Sequence, residues 1–320
     1  MMLALPGSGF ARSVEKHNVR LDVLCDWLEG SVLFAQAQLA AAEVVDILVE
    51  NSIYKTQEFA WKLLSDAWTE LRRRAYLLKD GYPLEIKGWR LTPRYSWDTN
   101  PGHSFCLALS LAEWLPDWAR SFDNNYSEQG ELFEEFVAEA IERSLPDWSV
   151  HRTGWRKTKA VKLPGVVAEL CQWLGESETG NRDRWTSERA NDAELDLVCV
   201  RRMPDGRPGI PLYLVQCASG VTGSSEWKYK RRTPDLDVWE KIVDFAVRPK
   251  RGFATPFTFT EADFRHHCHA VGGLFLDRYR LLAPSATQTS WLSTGTAHSI
   301  RRWLRPRLKK LPNASAKIIG

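Results

Sequence analysis

The stretch that most limits what this chain can become is Glu194-Leu195-Asp196-Leu197-Val198-Cys199-Val200, followed by Pro204-Asp205-Gly206 and then Leu212-Tyr213-Leu214-Val215-Gln216-Cys217-Ala218-Ser219-Gly220. Two apolar runs separated by turn chemistry predict two sheet strands joined by a tight connection. An acid early in the first run and a carboxamide near the end of the second interrupt the apolar pattern. Strand side chains alternate between faces, so Asp196 shares its face with Glu194 and Val198, and Gln216 shares its face with Leu214 and Ala218. A buried carboxylate needs a cation, a hydrogen-bond donor or water. Mg²⁺ prefers hard oxygen ligands and often takes only one or two carboxylates. Asp196 with the amide oxygen of Gln216 is therefore a candidate pair of metal ligands, and a plain side-chain hydrogen bond between them is the competing reading.

The elements around this hairpin predict an α/β architecture. Residues from about Arg20 to Leu78 read as mostly helical, with Phe59, Leu63, Leu64, Trp68 and Leu71 at helical spacing. Pro93 to His103 reads as loop, and Phe105 to Leu115 as a further helix stopped by Pro116. This half is expected to be a helical domain over 1–125 in which nothing suggests chemistry. A new helix starts near Ser127; its acids suit the helix dipole, and Phe133, Phe136, Val137, Ala140 and Ile141 form one apolar stripe. After it come a short strand near Trp148-Ser149-Val150, a helix at Pro164–Leu174, the hairpin, and a helix at Pro234–Phe245. A strand at Phe253–Phe259, a short helix at Glu261–His269 and a strand from Gly272 complete the series. That alternation predicts an α/β domain with a central mixed sheet over 126–285. Residues 286–320 read as a basic C-terminal extension, with Arg301, Arg302, Arg305, Arg307, Lys309 and Lys310 uninterrupted by acids. It is either a solvated tail or an arm that attracts phosphates.

Gly130-Glu131-Leu132-Phe133-Glu134, then Glu194 to Val198, then Val215 to Gly220 together resemble the PD-(D/E)XK nuclease superfamily. The likeness is greatest to type IV restriction endonucleases and restriction-like enzymes of defence islands, in which Gln replaces the second acid. The resemblance covers about residues 127–280 and implies a restriction-endonuclease-like domain that cleaves DNA with Mg²⁺ or Mn²⁺. It places the helix acid on Glu134, with Glu131 and Glu135 as competing choices, the strand acid on Asp196 and the amide on Gln216. The family's lysine falls on Ala218. Lys230 and Lys228 in Trp227-Lys228-Tyr229-Lys230 are the expected substitutes, ahead of Lys241, unless they only hold DNA phosphates or are plain surface charge. Arg231, Arg232, Arg301 and Arg302 are expected on the nucleic-acid backbone, and Trp227 and Tyr229 are suited to stacking on unpaired bases. The alternatives are a nuclease-fold DNA-binding protein with an inactive site, or an adaptor subunit of a defence complex. A homo-oligomer is compatible with each. Because an unrestrained nuclease is toxic, the helical half is a candidate regulator whose deletion would raise activity.

Composition narrows the setting. The net charge is +3, divided as −3 over residues 1–125 and +6 over the remainder. The six cysteines form no CxxC pair, which fits a reducing, cytoplasmic location without disulfides. No apolar run approaches the roughly 18 residues that a membrane helix needs. His266-His267-Cys268-His269 offers too few ligands for a zinc site. Neither a GxSxG nor a GxxxxGK[ST] motif is present.

Overall fold

A computed structural model of the chain describes residues 2–7, 10, 19–120, 122, 126–153, 163–181, 184, 193–220 and 226–312. In chain order the elements are α1 (Leu21–Ala35), β1 (Leu39–Ala40), α2 (Ala41–Glu50), α3 (Gln57–Leu78), β2 (Leu84–Lys87), β3 (Arg90–Pro93), α4 (Pro101–Trp114), α5 (Pro116–Arg120) and α6 (Tyr126–Ser144). They continue with β4 (Ser149–Arg152), α7 (Leu163–Leu174), β5 (Ser177–Glu178), β6 (Leu197–Val200), β7 (Leu212–Cys217), α8 (Leu236–Ile242), β8 (Val243–Asp244), β9 (Lys250–Ala254), α9 (Glu261–Val271), β10 (Leu274–Leu276), α10 (Arg278–Leu281) and α11 (Thr294–Leu308). A 3-10 helix spans Glu226–Arg232. The fold is mixed α/β, 54% helical, with a five-stranded mixed sheet.

The sheet runs in the order β10-β9-β7-β6-β4. β4, β6 and β7 form an antiparallel meander, and β9 and β10 then run parallel to β7. Parallel neighbours require a crossover, which the 3-10 helix and α8 supply between β7 and β9, and α9 supplies between β9 and β10. The α9–β10 junction depends on glycine at consecutive positions. Gly272 takes the left-handed conformation (φ +65°) that closes α9, and a Cβ on Gly273 would lie 1.9 Å from the carbonyl oxygen of Arg251.

Both sheet faces are covered. Val198, Val200, Leu212 and Leu214 pack with Leu163, Val167 and Leu170 of α7 and with Trp239 and Ile242 of α8. Leu197, Cys199 and Val215 face the other way and join Phe133, Phe136 and Val137 of α6 in a core that also includes α1, α3, α4 and α11. That core runs without a break across residue 125. The basic C-terminal segment contains α11, whose Ile300, Trp303 and Leu304 are buried, so its cations occupy the outer side of a packed helix. The chain's 15 tryptophans supply much of this packing: Trp27, Trp68 and Trp239 are among the largest fully buried side chains, and Trp303 packs edge-on against Phe105 and Phe122.

The helical half departs from expectation in three ways. A hairpin, β2–β3, pairs with β1 in a small antiparallel sheet. α4 starts at Pro101, capped by the Asn100 side chain, which accepts from His103 N. The half also contains a buried ionic cluster. Asp26 of α1 accepts from Arg74 Nη1 at 2.8 Å and from both terminal nitrogens of Arg278 at 2.9 and 2.8 Å. Glu29 accepts from Arg74 at 3.1 Å and from the Tyr82 hydroxyl at 2.9 Å, and Arg74 also donates to Thr258. All four charged residues are at most 1% exposed. Arg278 thus pairs with a carboxylate from the first helix, while Asp277 caps α10 by accepting from Arg280 N.

Candidate functional site

Strand register builds the site. β6 and β7 pair Leu197 with Val215 and Val198 with Leu214, which brings Asp196, one residue before β6, directly opposite Gln216. Asp196 N donates to Val215 O at 3.1 Å, and Thr153 N, just past β4, donates to Asp196 O at 2.9 Å. The β6–β7 connection covers residues 201–211 and is therefore longer than the tight link expected; the turn at Pro204-Asp205 occupies only part of it.

The two side chains meet. Gln216 Nε2 donates to Asp196 Oδ2 at 2.5 Å, and Cys217 N donates to the same oxygen at 2.6 Å. The other amide atom, Gln216 Oε1, accepts from Thr233 Oγ1 at 3.3 Å. Asp196 and Gln216 are 8% and 5% exposed, so the pair sits just beneath the surface where β6 and β7 leave the sheet. Turning the amide over exchanges its oxygen and nitrogen, which would bring a hard oxygen beside the Asp196 carboxylate.

Glu134 arrives from the other side. It lies on α6, whose Phe133, Phe136 and Val137 pack on the Leu197–Val215 face, whereas strand alternation assigns Asp196 and Gln216 to the face shared with Val198 and Leu214. One Glu134 carboxylate oxygen is fully buried. Both acids act on the Cys217 thiol. Burial is the main cause that holds it well above the ordinary thiol range; the charges of Asp196 and Glu134 add to this, and Arg152 opposes them. Gln129 Nε2 donates to Ser219 Oγ at 3.0 Å, which ties α6 to the segment leaving β7. Among the described residues no group of three His, Cys, Asp or Glu side chains is placed to hold a metal ion; the candidate oxygen set includes an amide.

The expected cations are distributed differently. Lys228, Tyr229, Lys230 and Arg232 are exposed on the 3-10 helix. The Lys228 ammonium lies over the Trp227 ring, 5.8 Å from its centroid, and lines a small cavity with Arg20, Asp22, Glu113 and Trp114. Lys230 approaches the pair through its main chain: its carbonyl and Gln216 Oε1 both accept from Thr233 Oγ1. Arg231 is held by the Lys228 carbonyl and by His267 Nδ1, at 2.8 and 2.6 Å. Arg301 Nε donates to Asp98 O, and Arg302 is exposed beside Glu128. His267 packs against the rings of Trp227, Phe259 and Phe275; burial first, then Arg231 and His266, lowers its pKa to about 4.

Thr233, Gln129 and Arg152 are the site neighbours that sequence reading missed. Thr233 carries no local signal, and a basic residue at the end of a short strand reads as solvated. Ala218 is 3% exposed in a cluster with Trp227, Phe253 and Phe257, so the position of the family's lysine is packed with aromatic rings. Ala218→Lys is accordingly expected to lower stability by about 2–4 kcal/mol through overpacking and a desolvated amine. Urea denaturation checks this; an unchanged midpoint would show that position 218 opens to solvent.

No family model, curated protein or solved structure matches the chain. All six cysteines are free, and among the described residues no helix is long and apolar enough to cross a membrane.

Proposed function

We propose that the chain is a Mg²⁺- or Mn²⁺-dependent DNA endonuclease of a prokaryotic defence or restriction system, with Asp196 and Gln216 as its metal-holding pair. The observation that carries this reading is the cross-strand Asp196–Gln216 pair at the end of the β6–β7 meander. The order α6, β4, β6, β7, crossover, β9 around it supports the resemblance to the PD-(D/E)XK nucleases. The donor set suits a hard cation because the Asp196 carboxylate and the Gln216 amide lie side by side, and the amide turned over would present its oxygen beside the carboxylate. A divalent ion held there would supply Lewis-acid stabilisation to a phosphodiester under attack by water. Cys217 N and the Gln216 amide orient the Asp196 carboxylate, and Thr233 anchors the far end of that amide. The exposed Lys228, Lys230 and Arg232 suit the phosphate backbone, and Tyr229, 80% exposed among them, suits stacking on an unpaired base.

The aromatic packing of Ala218 favours one second reading, a DNA-binding protein of the same fold that performs no chemistry. Nicking of supercoiled plasmid in Mg²⁺ or Mn²⁺ separates the two. Wild type is expected to nick, and Asp196→Asn, which keeps an acceptor for Cys217 N, is expected to fall to the metal-free background. Salt-dependent DNA binding with no nicking by wild type in either metal would replace the first reading with the second.

A further inference from the structure

We infer that the outer face of α11 is a docking surface for the phosphate backbone of duplex DNA; the choice of DNA as the polyanion rests on the nuclease reading above. After Asp277 the chain carries no Asp or Glu through residue 312. α11 and its C-cap place Arg302, Arg305 and Lys309 at spacing i, i+3 and i+7, within an arc of about 60°. All three are exposed. Arg302 stands 4.0 Å from Glu128, and among the described residues Arg305 and Lys309 have no acidic partner. The acids that bind α11 side chains sit at its start, where Glu139 accepts from the Ser293 and Thr296 hydroxyls and Glu135 from Thr296.

The packing of the helix selects the occupant. Ile300, Trp303 and Leu304 are buried against the core, so α11 has no apolar face left to enter a lipid surface. Trp303 is its one aromatic residue and is 2% exposed, which leaves no ring on which unpaired bases could stack. What remains is a rigid row of cations, suited to holding a phosphate backbone without reading bases. From Arg302 to Lys309 the row is about 10 Å long, which matches about three phosphate steps of one strand. Contacts also fix its direction. Ser293 and Thr296 meet Glu139 and Glu135, while Arg302 meets Glu128, so α11 runs antiparallel to α6. Gln129, beside Glu128, bonds to Ser219, two residues past the end of β7. The basic row thus lies toward the end of the sheet that holds Gln216, one helix removed from it. It does not touch the Asp196–Gln216 pair, and its role is to hold the duplex and not to take part in the chemistry.

The test is a salt titration of binding to a 30-base-pair duplex of random sequence, in EDTA so that no cleavage intervenes. It compares wild type with the triple variant Arg302→Gln, Arg305→Gln, Lys309→Gln, and with a control that removes equal charge elsewhere, Lys55→Gln, Lys62→Gln, Lys87→Gln. Circular dichroism first shows each to be folded; Gln is a good helix former, and all six positions are exposed. Three lost phosphate contacts should lower the slope of log affinity against log salt by about 2.7, so the lead of wild type over the α11 variant should shrink about 40-fold between 50 and 200 mM salt. The control should keep the wild-type slope. An α11 variant with the wild-type slope, or a control that loses as much, overturns the inference and leaves the nuclease reading to its own nicking assay. Tighter binding to a 30-nucleotide single strand than to the duplex overturns it, as does capture of wild type by phosphatidylserine vesicles with no duplex bound. If wild type does not nick plasmid yet binds duplex with the expected loss of slope in the α11 variant, the nuclease reading fails and the docking surface stands.

Discussion

Asp26→Ala is expected to cost about 3–5 kcal/mol of folding stability, because it leaves Arg74 and Arg278 as buried charges without their shared carboxylate. Asp26 is the hub of the cluster. It takes a bidentate bond from Arg278, a further bond from Arg74 and one from the Ser110 hydroxyl. Neither guanidinium has solvent to turn to, since both residues are fully buried. Urea denaturation should show a large fall in midpoint; a loss of less than about 1 kcal/mol would mean that water enters the cluster. Asp22→Ala is the control. Its ion pair with Arg20 lies at the surface, and such pairs contribute about 0–1 kcal/mol. The same cluster bears on the role of the helical half. Deleting residues 1–120 removes Asp26, Glu29 and Arg74, leaves Arg278 buried without its carboxylate and takes away the α1, α3 and α4 part of the core that α6 shares, so loss of fold is the expected outcome and not the release of a restrained enzyme.

The second large effect is a loss of stability below neutral pH traceable to His103. Its ring is fully buried at α4; among the described residues neither nitrogen has a hydrogen-bond partner, and Glu29 stands 3.9 Å from Nε2. Burial, then the charges of Arg278 and Arg74, lowers its pKa from 6.5 to about 3. The folded chain therefore keeps His103 neutral while the unfolded chain protonates it. The contribution is complete above pH 6.5 and is lost as pH falls from 6.5 toward about 3. Each tenfold difference in proton affinity between the folded and unfolded chain is worth about 1.4 kcal/mol, so the loss is on the order of 3–5 kcal/mol across the window.

Two neighbours titrate nearby. Asp26 is raised by burial but lowered further by Arg278 and Arg74, to about 2 from 3.8, so its contribution is present above pH 3.8 and fades only toward pH 2. Burial raises Glu29 above 4.5, which acts in the opposite sense: the folded state gains a proton first and is favoured as pH falls through that range. His103→Leu isolates the histidine. Its stability should vary less than that of wild type between pH 6.5 and about 4, and parallel pH profiles for the two proteins would count against the assignment.

Where elements are set by near neighbours, the sequence was legible. The α6 stripe of Phe133, Phe136, Val137, Ala140 and Ile141 is buried as its helical spacing required, and the apolar runs at 197–200 and 212–217 are adjacent strands. Placing Asp196 opposite Gln216 needed only the strand period and the register. The start of α4 was also legible, since Asn100-Pro101 is an N-cap followed by a first-turn proline. Reading that stretch as loop gave the prolines more weight than the cap.

The periodicity of 3.6 and of 2 was thus enough to place α6, the strands β6 and β7 and the candidate acid–amide pair, because those patterns act over a few residues. Three-dimensional packing alone joined Asp26 to Arg278 across 252 positions, closed aromatic rings over Ala218 and set Arg152 beside the turn that carries Glu134. Burial and ion pairing depend on which distant surfaces meet, and no local spacing of residues encodes that meeting.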